Sequence, residues 1–324
     1  MNASLRAEAL VASGKVAEAV ALLDRAGASG DGDALFTHAA WLLSGQLVQR
    51  DLACARALFE RAAEAGSAEG ARIRAAFTAN GTGGPSDWRA ACDFVRDLAA
   101  SDAAAARQIA IIDSMALEAD GAPGALPRPQ ILRDDPMITV IPGLFTAAEC
   151  AYLIEVAEPL TEPSVVIDPR TGQFVRDPIR TSDAAAFPLA LENPAIHALN
   201  RRLAAATGTA VTQGEPLQVL RYRPGQEYKL HIDALPPQIG NQRVLTALVY
   251  LNDDFEGGET DFPSLGLRVR GKTGDALIFA NVHADGGPDQ RVRHAGRPVR
   301  TGQKLLASRW IRARPLDLSG RQQG

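Results

Sequence analysis

The residue pattern of the chain changes between its first and second parts, and this change limits the fold more than any other feature. The first hundred or so residues are rich in alanine and have apolar side chains at helical spacing, whereas from about residue 136 valine, isoleucine, threonine and Gly-Gly turns predominate. The stretch ADGAPGALPRPQ between them suits neither a helix nor a central strand. The pattern predicts an all-α domain over 1–118, a linker over 119–135, a β-rich domain over 136–316 and a tail over 317–324.

The helical part contains an internal repeat. Gly45 and Gly81 each close a helix and stand 36 residues apart. The same spacing relates further pairs: Asp51 and Asp87, Leu52 and Trp88, Ala55 and Ala91, Leu58 and Phe94, Ala63 and Ala99. A repeated pair of antiparallel helices produces such a pattern, and we expect residues 8–30 to form a third, shorter unit. Residues 4–115 resemble tetratricopeptide or Sel1-like repeats, and a plain helical bundle is the alternative.

The second part of the chain predicts short strands joined by glycine-rich turns. The segment after Thr146 has the capping-box residue Glu149 and an apolar helical stripe, and a second helix closes at Gly208. After these two helices come only strand-like segments: LQVLRY, RVLTALVYLN, LRVRG, DALIFA and KLLASRWIR. Because no helices separate the strands, we expect an antiparallel barrel or sandwich and not a parallel α/β sheet.

The composition is that of an ordinary globular protein. A formal net charge of -4 and a pI near 5.8 indicate no general affinity for nucleic acid or for an anionic membrane surface. The sequence has no apolar run long enough for a membrane helix or an export signal. Cys54, Cys92 and Cys150 are odd in number and widely spaced, which does not suggest a disulfide framework. We therefore expect a cytoplasmic protein.

Two His-x-Asp pairs are candidate metal sites: His231 with Asp233, and His283 with Asp285. Side chains alternate along a strand, so a His and an Asp two residues apart point to the same side. With a histidine from another strand, such a pair leaves three positions open on an octahedral metal, as Fe(II) oxygenases require. The alternative for either pair is a structural histidine that is hydrogen-bonded to a neighbouring carboxylate.

The surroundings of the two pairs favour the first. His231 follows a strand-like segment, and His294 lies far enough downstream for several strands to bring it beside that pair. His283 lies in turn-like sequence shortly before His294, which leaves little room for a rigid site and indicates a loop residue. Lys304 stands at the head of the last strand, where a buried ammonium group would need a carboxylate such as one end of a dicarboxylic cosubstrate. An exposed lysine is the alternative.

Residues 136 to about 313 resemble the iron(II) and 2-oxoglutarate dependent dioxygenases of the prolyl 4-hydroxylase type. The resemblance runs in order through these motifs: VIPGLFTAAECAYLIEVAEPL, SVVIDPRTGQ, IRTSDAAAF, GEPLQVLRYRPGQEYKLHID, VLTALVYLNDDFEGGETDFP and GKTGDALIFANVHADGGPDQRVRHAGRPVRTGQKLLASRWIR. It implies a double-stranded β-helix, or jelly-roll, catalytic domain with flanking helices, and so a multidomain protein with helical repeats before it.

The resemblance also implies a role for each site residue. It assigns Fe(II) to His231, Asp233 and His294, and it indicates that His283 does not bind iron. It assigns 2-oxoglutarate to Lys304 with the help of Tyr222 and Tyr250, and it places Arg180 and Trp310 on the substrate side.

The activity that the resemblance implies is hydroxylation coupled to the decarboxylation of 2-oxoglutarate, with O2 as oxidant, ascorbate as reductant, and succinate and CO2 as products. Our first hypothesis is that the substrate is a prolyl residue in a protein or peptide, recognised in part by the helical repeats. The first alternative is a hydroxylase of a free amino acid or small metabolite, whose repeats assemble an oligomer. The second alternative is a non-catalytic repeat protein with a degenerate barrel.

Overall fold

The computed structural model describes residues 2–167, 174–176 and 178–316. They fall into two compact units, one comprising residues 2–122 with 189–198 and the other comprising residues 123–188 with 199–316. The predicted tail over 317–324 and residues 168–173 of the SVVIDPRTGQ motif lie outside the described residues.

The first unit is built from successive antiparallel helices. Their bounds are α1 Ala3–Ala12, α2 Val16–Ala28, α3 Gly32–Ser44, α4 Leu52–Glu64, α5 Ala68–Asn80, α6 Trp88–Ala99 and α7 Ala103–Ser114. Fully buried alanines such as Ala39, Ala55 and Ala76 let neighbouring helices approach closely. Phe59 packs edge-to-face against Phe77, with ring centroids 5.7 Å apart. The prediction of helical repeats is confirmed.

The ends of the helices show why the repeat has a period of 36 residues. Asp51 and Asp87 are the N-caps of α4 and α6, and each carboxylate accepts a hydrogen bond from the backbone N–H three residues later. Gly45 and Gly81 close α3 and α5 in the left-handed conformation, with φ of 69° and 76°. A glycine takes this conformation without steric cost, so each unit ends at the same point.

A third unit keeps the same register at the start of the chain. Helix α2 begins after Lys15, 36 residues before Asp51, and α3 begins after Asp31, 36 residues before Ser67. The lysine side chain makes no capping hydrogen bond, whereas Asp51 does. The unit is therefore a complete helix pair over α2 and α3 and extends beyond the shorter segment 8–30 expected from the sequence.

The second unit is built mainly from antiparallel strands. Their bounds are β1 Gln130–Arg133, β2 Ile138–Ile141, β3 Glu162–Pro163, β4 Val166–Ile167, β5 Phe174–Val175, β6 Asp183–Phe187, β7 Leu217–Tyr222, β8 Tyr228–His231, β9 Arg243–Tyr250, β10 Glu256–Gly257, β11 Thr260–Phe262, β12 Leu267–Val269, β13 Ala276–Ala280, β14 His294–Gly296, β15 Val299–Thr301 and β16 Lys304–Arg312. Strand β1 lies within the stretch expected as a linker and pairs with β2.

Two sheets enclose the core of this unit. The larger has the order β1-β2-β13-β9-β16-β7-β6-β3 and the smaller β12-β11-β14-β8. Side chains from both sheets share one hydrophobic cluster, to which the larger sheet contributes Leu220, Leu277 and Phe279 and the smaller sheet Phe262 and Val269. The predicted antiparallel, jelly-roll architecture is confirmed.

Two helices accompany the strands, α8 Ala147–Ala157 and α9 Pro194–Thr207. The predicted capping box of α8 is present, because Thr146 and Glu149 each accept a hydrogen bond from the other's backbone N–H. Glu149 also accepts a 2.7 Å hydrogen bond from Arg202, so a buried ion pair joins α8 to α9. No helix in the described part of the chain combines the length and the apolar character that crossing a bilayer requires.

Replacing the N-cap of α6, Asp87→Ala, should lower the free energy of unfolding by about 1 kcal/mol, because the Ala90 N–H loses its acceptor. Urea unfolding followed by circular dichroism measures the change. Asp93→Ala in the same helix is the matched control, because Asp93 is exposed and forms only a surface pair with Arg96, worth less than about 0.5 kcal/mol. Equal losses of unfolding free energy in the two variants would show that the Asp87 cap does not stabilise the start of α6.

Candidate metal centre

Three potential metal ligands converge between two paired strands. His231 is the last residue of β8 and pairs in register with His294, the first residue of β14. Asp233 follows β8 by two residues, and its carboxylate oxygens lie 3.5 Å from His231 Nε2 and 3.7 Å from His294 Nε2. One ligand atom from each residue lies within 4.8 Å of the other two. This spacing suits a single ion bound by all three side chains.

Backbone carbonyls fix the orientation of both imidazole rings. His231 Nδ1 lies 2.8 Å from the carbonyl oxygen of Lys229, and His294 Nδ1 lies 3.0 Å from that of Val292. Because a carbonyl oxygen only accepts hydrogen bonds, each Nδ1 carries the proton and donates. Each Nε2 therefore presents its lone pair towards Asp233, as a metal ligand must.

The electrostatics of the three groups fit the same purpose. Burial and, to a smaller extent, the neighbouring His231 lower the pKa of His294 to about 4, so the imidazole is neutral at neutral pH. Burial alone would raise the pKa of Asp233, but the two histidines and a hydrogen bond from Thr246 hold it well below its usual range. Two imidazoles and one carboxylate leave three positions of an octahedron open, so these residues fit Fe(II).

Aromatic rings pack around the histidines and hold them. The Tyr228 ring stacks on His231 with centroids 3.5 Å apart and planes at 11°. Phe262 and Phe279 lie against His294, with centroid distances of 5.4 and 4.8 Å. Tyr228 was not among the residues predicted for the site, because its spacing in the sequence does not distinguish it from a core aromatic residue.

A small inner cavity extends from the three ligands to Lys304. This lysine is 2% exposed, lies opposite Tyr222 in the β16–β7 pair, and donates a 2.7 Å hydrogen bond from Nζ to the Gly258 carbonyl oxygen. Within the described ranges no carboxylate lies at ion-pair distance from its Nζ. Burial lowers the pKa of Lys304 to about 8, with a smaller opposing effect from Glu259. A buried cation without a counter-ion is a site for an anionic ligand.

The structure separates the two tyrosines that were expected beside the cosubstrate. Tyr222 lines the inner cavity, and Lys304 Nζ lies 5.6 Å from its ring centroid. The Tyr250 ring is equally near Lys304 but is not among the cavity-lining residues. Its hydroxyl donates to the Val269 carbonyl oxygen at 3.2 Å and lies 3.2 Å from Thr260 Oγ1. The hydroxyl of Tyr250 thus belongs to the core.

Arg180 lies where the inner cavity meets a larger outer cavity of about 1180 Å³. The side chain is buried, and its guanidinium donates to Ser182 Oγ at 3.2 Å and to Gln218 Oε1 at 3.5 Å. It lies 5.3 Å from the ring centroid of Tyr228. Among the described residues no carboxylate pairs with it.

Trp310 also lines both cavities, and a charged cluster holds its ring in place. The Arg243 guanidinium lies 4.0 Å from the ring centroid, and it pairs through two nitrogens with Glu215 at 2.6 and 2.7 Å. Arg312 pairs with the same carboxylate. The buried indole N–H of Trp310 has no hydrogen-bond partner in the part of the chain that the structure describes. The sequence reasoning missed this cluster, although Arg243 stands out as a charge at the start of an apolar strand.

The second His-x-Asp pair lies apart from the three ligands. His283 Nδ1 lies 3.4 Å from Asp289, whose carboxylate also binds Arg291. Among the described residues, the one cluster with metal-binding spacing contains neither His283 nor Asp285.

Comparison with known proteins identifies the class to which this fold and site belong. Residues 217–312 match the 2OG-Fe(II) oxygenase superfamily, so the chain is a dioxygenase whose chemistry uses Fe(II), 2-oxoglutarate and O2. It is 36% identical over 204 residues to prolyl 4-hydroxylase 1 of Arabidopsis thaliana, an alignment that covers 57% of this chain and 72% of that protein. The chain belongs to the prolyl 4-hydroxylase family within this superfamily.

Two further matches come from the same comparison. Probable prolyl 4-hydroxylase 10 of Arabidopsis thaliana is 34% identical over 206 residues, which cover 56% of this chain and 71% of that protein. Among solved structures, the viral collagen prolyl hydroxylase of Paramecium Bursaria Chlorella virus-1 in its 2OG complex is 29% identical, with a TM-score of 0.44, and the match covers 55% of this chain and 96% of that one.

The two tyrosines should respond differently to removal of the hydroxyl. Tyr250→Phe should lower the free energy of unfolding by about 1–3 kcal/mol, because the buried Val269 carbonyl loses its donor, and should leave the KM for 2-oxoglutarate within about twofold of wild type. Tyr222→Phe should raise that KM with little loss of stability. Denaturant unfolding measures the free energy of unfolding, and succinate release measures the KM for 2-oxoglutarate. A raised KM in Tyr250→Phe together with a loss of stability in Tyr222→Phe would contradict the placement of Tyr250 in the core and Tyr222 in the cavity wall.

Proposed function

We propose that the chain is an Fe(II)- and 2-oxoglutarate-dependent hydroxylase that acts on a prolyl residue in a protein or peptide and releases succinate and CO2. The observation that carries the proposal is the set of two imidazoles and one carboxylate, joined by one cavity to a buried lysine. The names of the relatives support prolyl hydroxylation.

In this proposal His231, Asp233 and His294 hold the iron, and Lys304 binds the distal carboxylate of 2-oxoglutarate. Bound iron supplies the activation of O2 and the oxidation of the substrate. The protein positions the reactants: Tyr222 lines the cosubstrate cavity, and the rings of Phe262 and Phe279 cover His294 on the core side. Ascorbate serves as the reductant that keeps the iron ferrous.

The outer cavity supports a peptide as the substrate. Its volume of about 1180 Å³ exceeds the roughly 300–1000 Å³ that small-molecule sites occupy. Arg180 and Trp310 lie where this cavity meets the metal ligands, and the Arg180 guanidinium, which has no carboxylate partner among the described residues, can donate to a peptide carbonyl group. We propose that the helical repeats provide a second binding surface for the protein substrate, in addition to the outer cavity. We also propose a cytoplasmic location, because Cys54, Cys92 and Cys150 are unpaired.

Succinate release from 2-oxoglutarate, measured with Fe(II) and ascorbate, tests the activity and the substrate class. We expect stimulation by proline-containing peptides and not by free amino acids, with mass spectrometry showing one added oxygen on the peptide. Asp233→Ala should abolish turnover because the metal loses its anionic ligand, whereas His283→Ala should retain most of it. Stimulation by free amino acids alone would overturn the peptide assignment, and equal losses in the two variants would overturn the ligand assignment.

The KM for 2-oxoglutarate should depend on pH through Lys304. A carboxylate binds the protonated amine, and the pKa of Lys304 is lowered to about 8, so the binding-competent fraction falls as the pH rises above that value. We expect KM to rise by up to about tenfold per pH unit above it. In Lys304→Arg, which stays protonated, the pH dependence should disappear even though the altered reach raises KM throughout.

Lys272→Arg is the matched control, because Lys272 is exposed and lies outside both cavities. Its pH profile should equal that of wild type. A KM in the Lys304→Arg variant that rises with pH as in wild type would show that another group binds the carboxylate.

A further inference from the structure

Two fully buried polar side chains form a hydrogen-bonded chain that ends on Asp233. Thr246 lies in β9 and Asn281 directly follows β13, and both are 0% exposed. Thr246 Oγ1 lies 2.7 Å from Asp233 Oδ2, and Asn281 Nδ2 lies 2.9 Å from Thr246 Oγ1. The other buried positions of these two strands are mainly apolar.

Chemistry fixes the direction of the chain. An ionised carboxylate only accepts hydrogen bonds, so the Thr246 hydroxyl donates its single proton to Asp233. The hydroxyl oxygen then accepts from Asn281 Nδ2, which is closer than Asn281 Oδ1 at 3.3 Å. The order of donation is therefore Asn281 to Thr246 to Asp233, and the Thr246 hydroxyl acts as both donor and acceptor.

Asn281 also supports the segment that carries His294. Its backbone carbonyl accepts a 3.0 Å hydrogen bond from the N–H of Asp289, and the turn that follows Asp289 ends at Val292, whose carbonyl orients the His294 ring. Asn281 is therefore hydrogen-bonded both to Thr246, which contacts Asp233, and to the segment that leads to His294.

Neither Thr246 nor Asn281 lines the inner or the outer cavity. They do not touch a cosubstrate or substrate, so any effect on the reaction passes through the ligands that they hold. This separates them from Tyr222 and Lys304, which lie in the cavity wall.

We propose that Thr246 and Asn281 are positioning residues that hold Oδ2 of Asp233, so that the carboxylate offers the metal only Oδ1. The inference rests on the proposed metal site. A carboxylate that rotated to bind through both oxygens would occupy one of the three positions that the cosubstrate and O2 need. Hydrogen-bond partners of metal ligands of this kind commonly contribute about 10–100-fold to metal affinity.

Anaerobic titration calorimetry of the metal-free full chain with Fe(II) tests this directly. Thr246→Val removes the hydroxyl with little change of shape, and we expect the Kd for Fe(II) to rise about 10–100-fold. Thr246→Ser restores the donor and should return the Kd to within a few-fold of wild type. Asn281→Leu leaves the bond from Thr246 to Asp233 in place, so its effect should be smaller than that of Thr246→Val.

Thr207→Val is the matched control, because Thr207 hydrogen-bonds Leu203 and Thr209 at the end of α9, outside both cavities. At saturating Fe(II), the KM for 2-oxoglutarate should rise in Thr246→Val, because the freed carboxylate competes for a metal position that the cosubstrate needs, and it should return towards the wild-type value in Thr246→Ser.

A wild-type Kd in folded Thr246→Val, or a folded Thr246→Ser that binds as weakly as Thr246→Val, would overturn the inference while leaving the proposed function intact. Failure of the wild-type chain itself to bind Fe(II) would overturn the metal assignment and the inference together. If Thr246→Val does not fold, the decision rests on Asn281→Leu and Thr246→Ser: weaker binding in the first with near wild-type binding in the second supports the inference, and wild-type binding in both overturns it.

Discussion

The candidate site depends on the antiparallel pairing of β8 with β14. This pairing sets His231 directly opposite His294, although the two residues lie far apart in the chain. Both rings take the same Nδ1 contact with the carbonyl two residues earlier, which lies within β8 for His231 and in the turn before β14 for His294. Asp233 then completes the group from the loop after β8. A shift of the pairing by one residue would turn one histidine to the other face of the sheet and would remove the site.

The sequence could predict those parts of the site that depend on residues close together in the chain. The His-x-Asp pair and the position of Lys304 at the head of a strand are of this kind, and the structure brings all of them to one cavity. The cluster of Arg243, Glu215 and Arg312 was missed because its contacts join residues that are distant in sequence. No local pattern records such a contact, so only the fold reveals it.

The helical repeats also show where local sequence patterns stop being informative, because one of their helices begins without a capping residue. Asp51 and Asp87 signal their helix starts by residue type, because an aspartate at this position caps the helix with its own side chain. Lys15 occupies the corresponding position of the first unit and gives no such signal, yet α2 begins there in register. Packing of buried alanine and leucine residues against the next helix is enough to set the start. The 36-residue spacing of matching residues therefore predicted the repeat. The full extent of the first unit could not be predicted, because its first helix has no capping side chain.

The inner cavity carries a buried anion at one end and a buried cation at the other, and their surroundings differ. Asp233 accepts a hydrogen bond from Thr246, whereas Lys304 donates to the Gly258 carbonyl oxygen and has no counter-ion among the described residues. The lowered pKa of Lys304 reflects the cost of keeping that charge buried. In the proposed function an anionic cosubstrate offsets this cost when it binds, so part of its affinity derives from a desolvation cost that the folded chain already carries. The same proposal predicts selectivity for dicarboxylates, because a ligand without a distal carboxylate would leave the lysine charge unpaired.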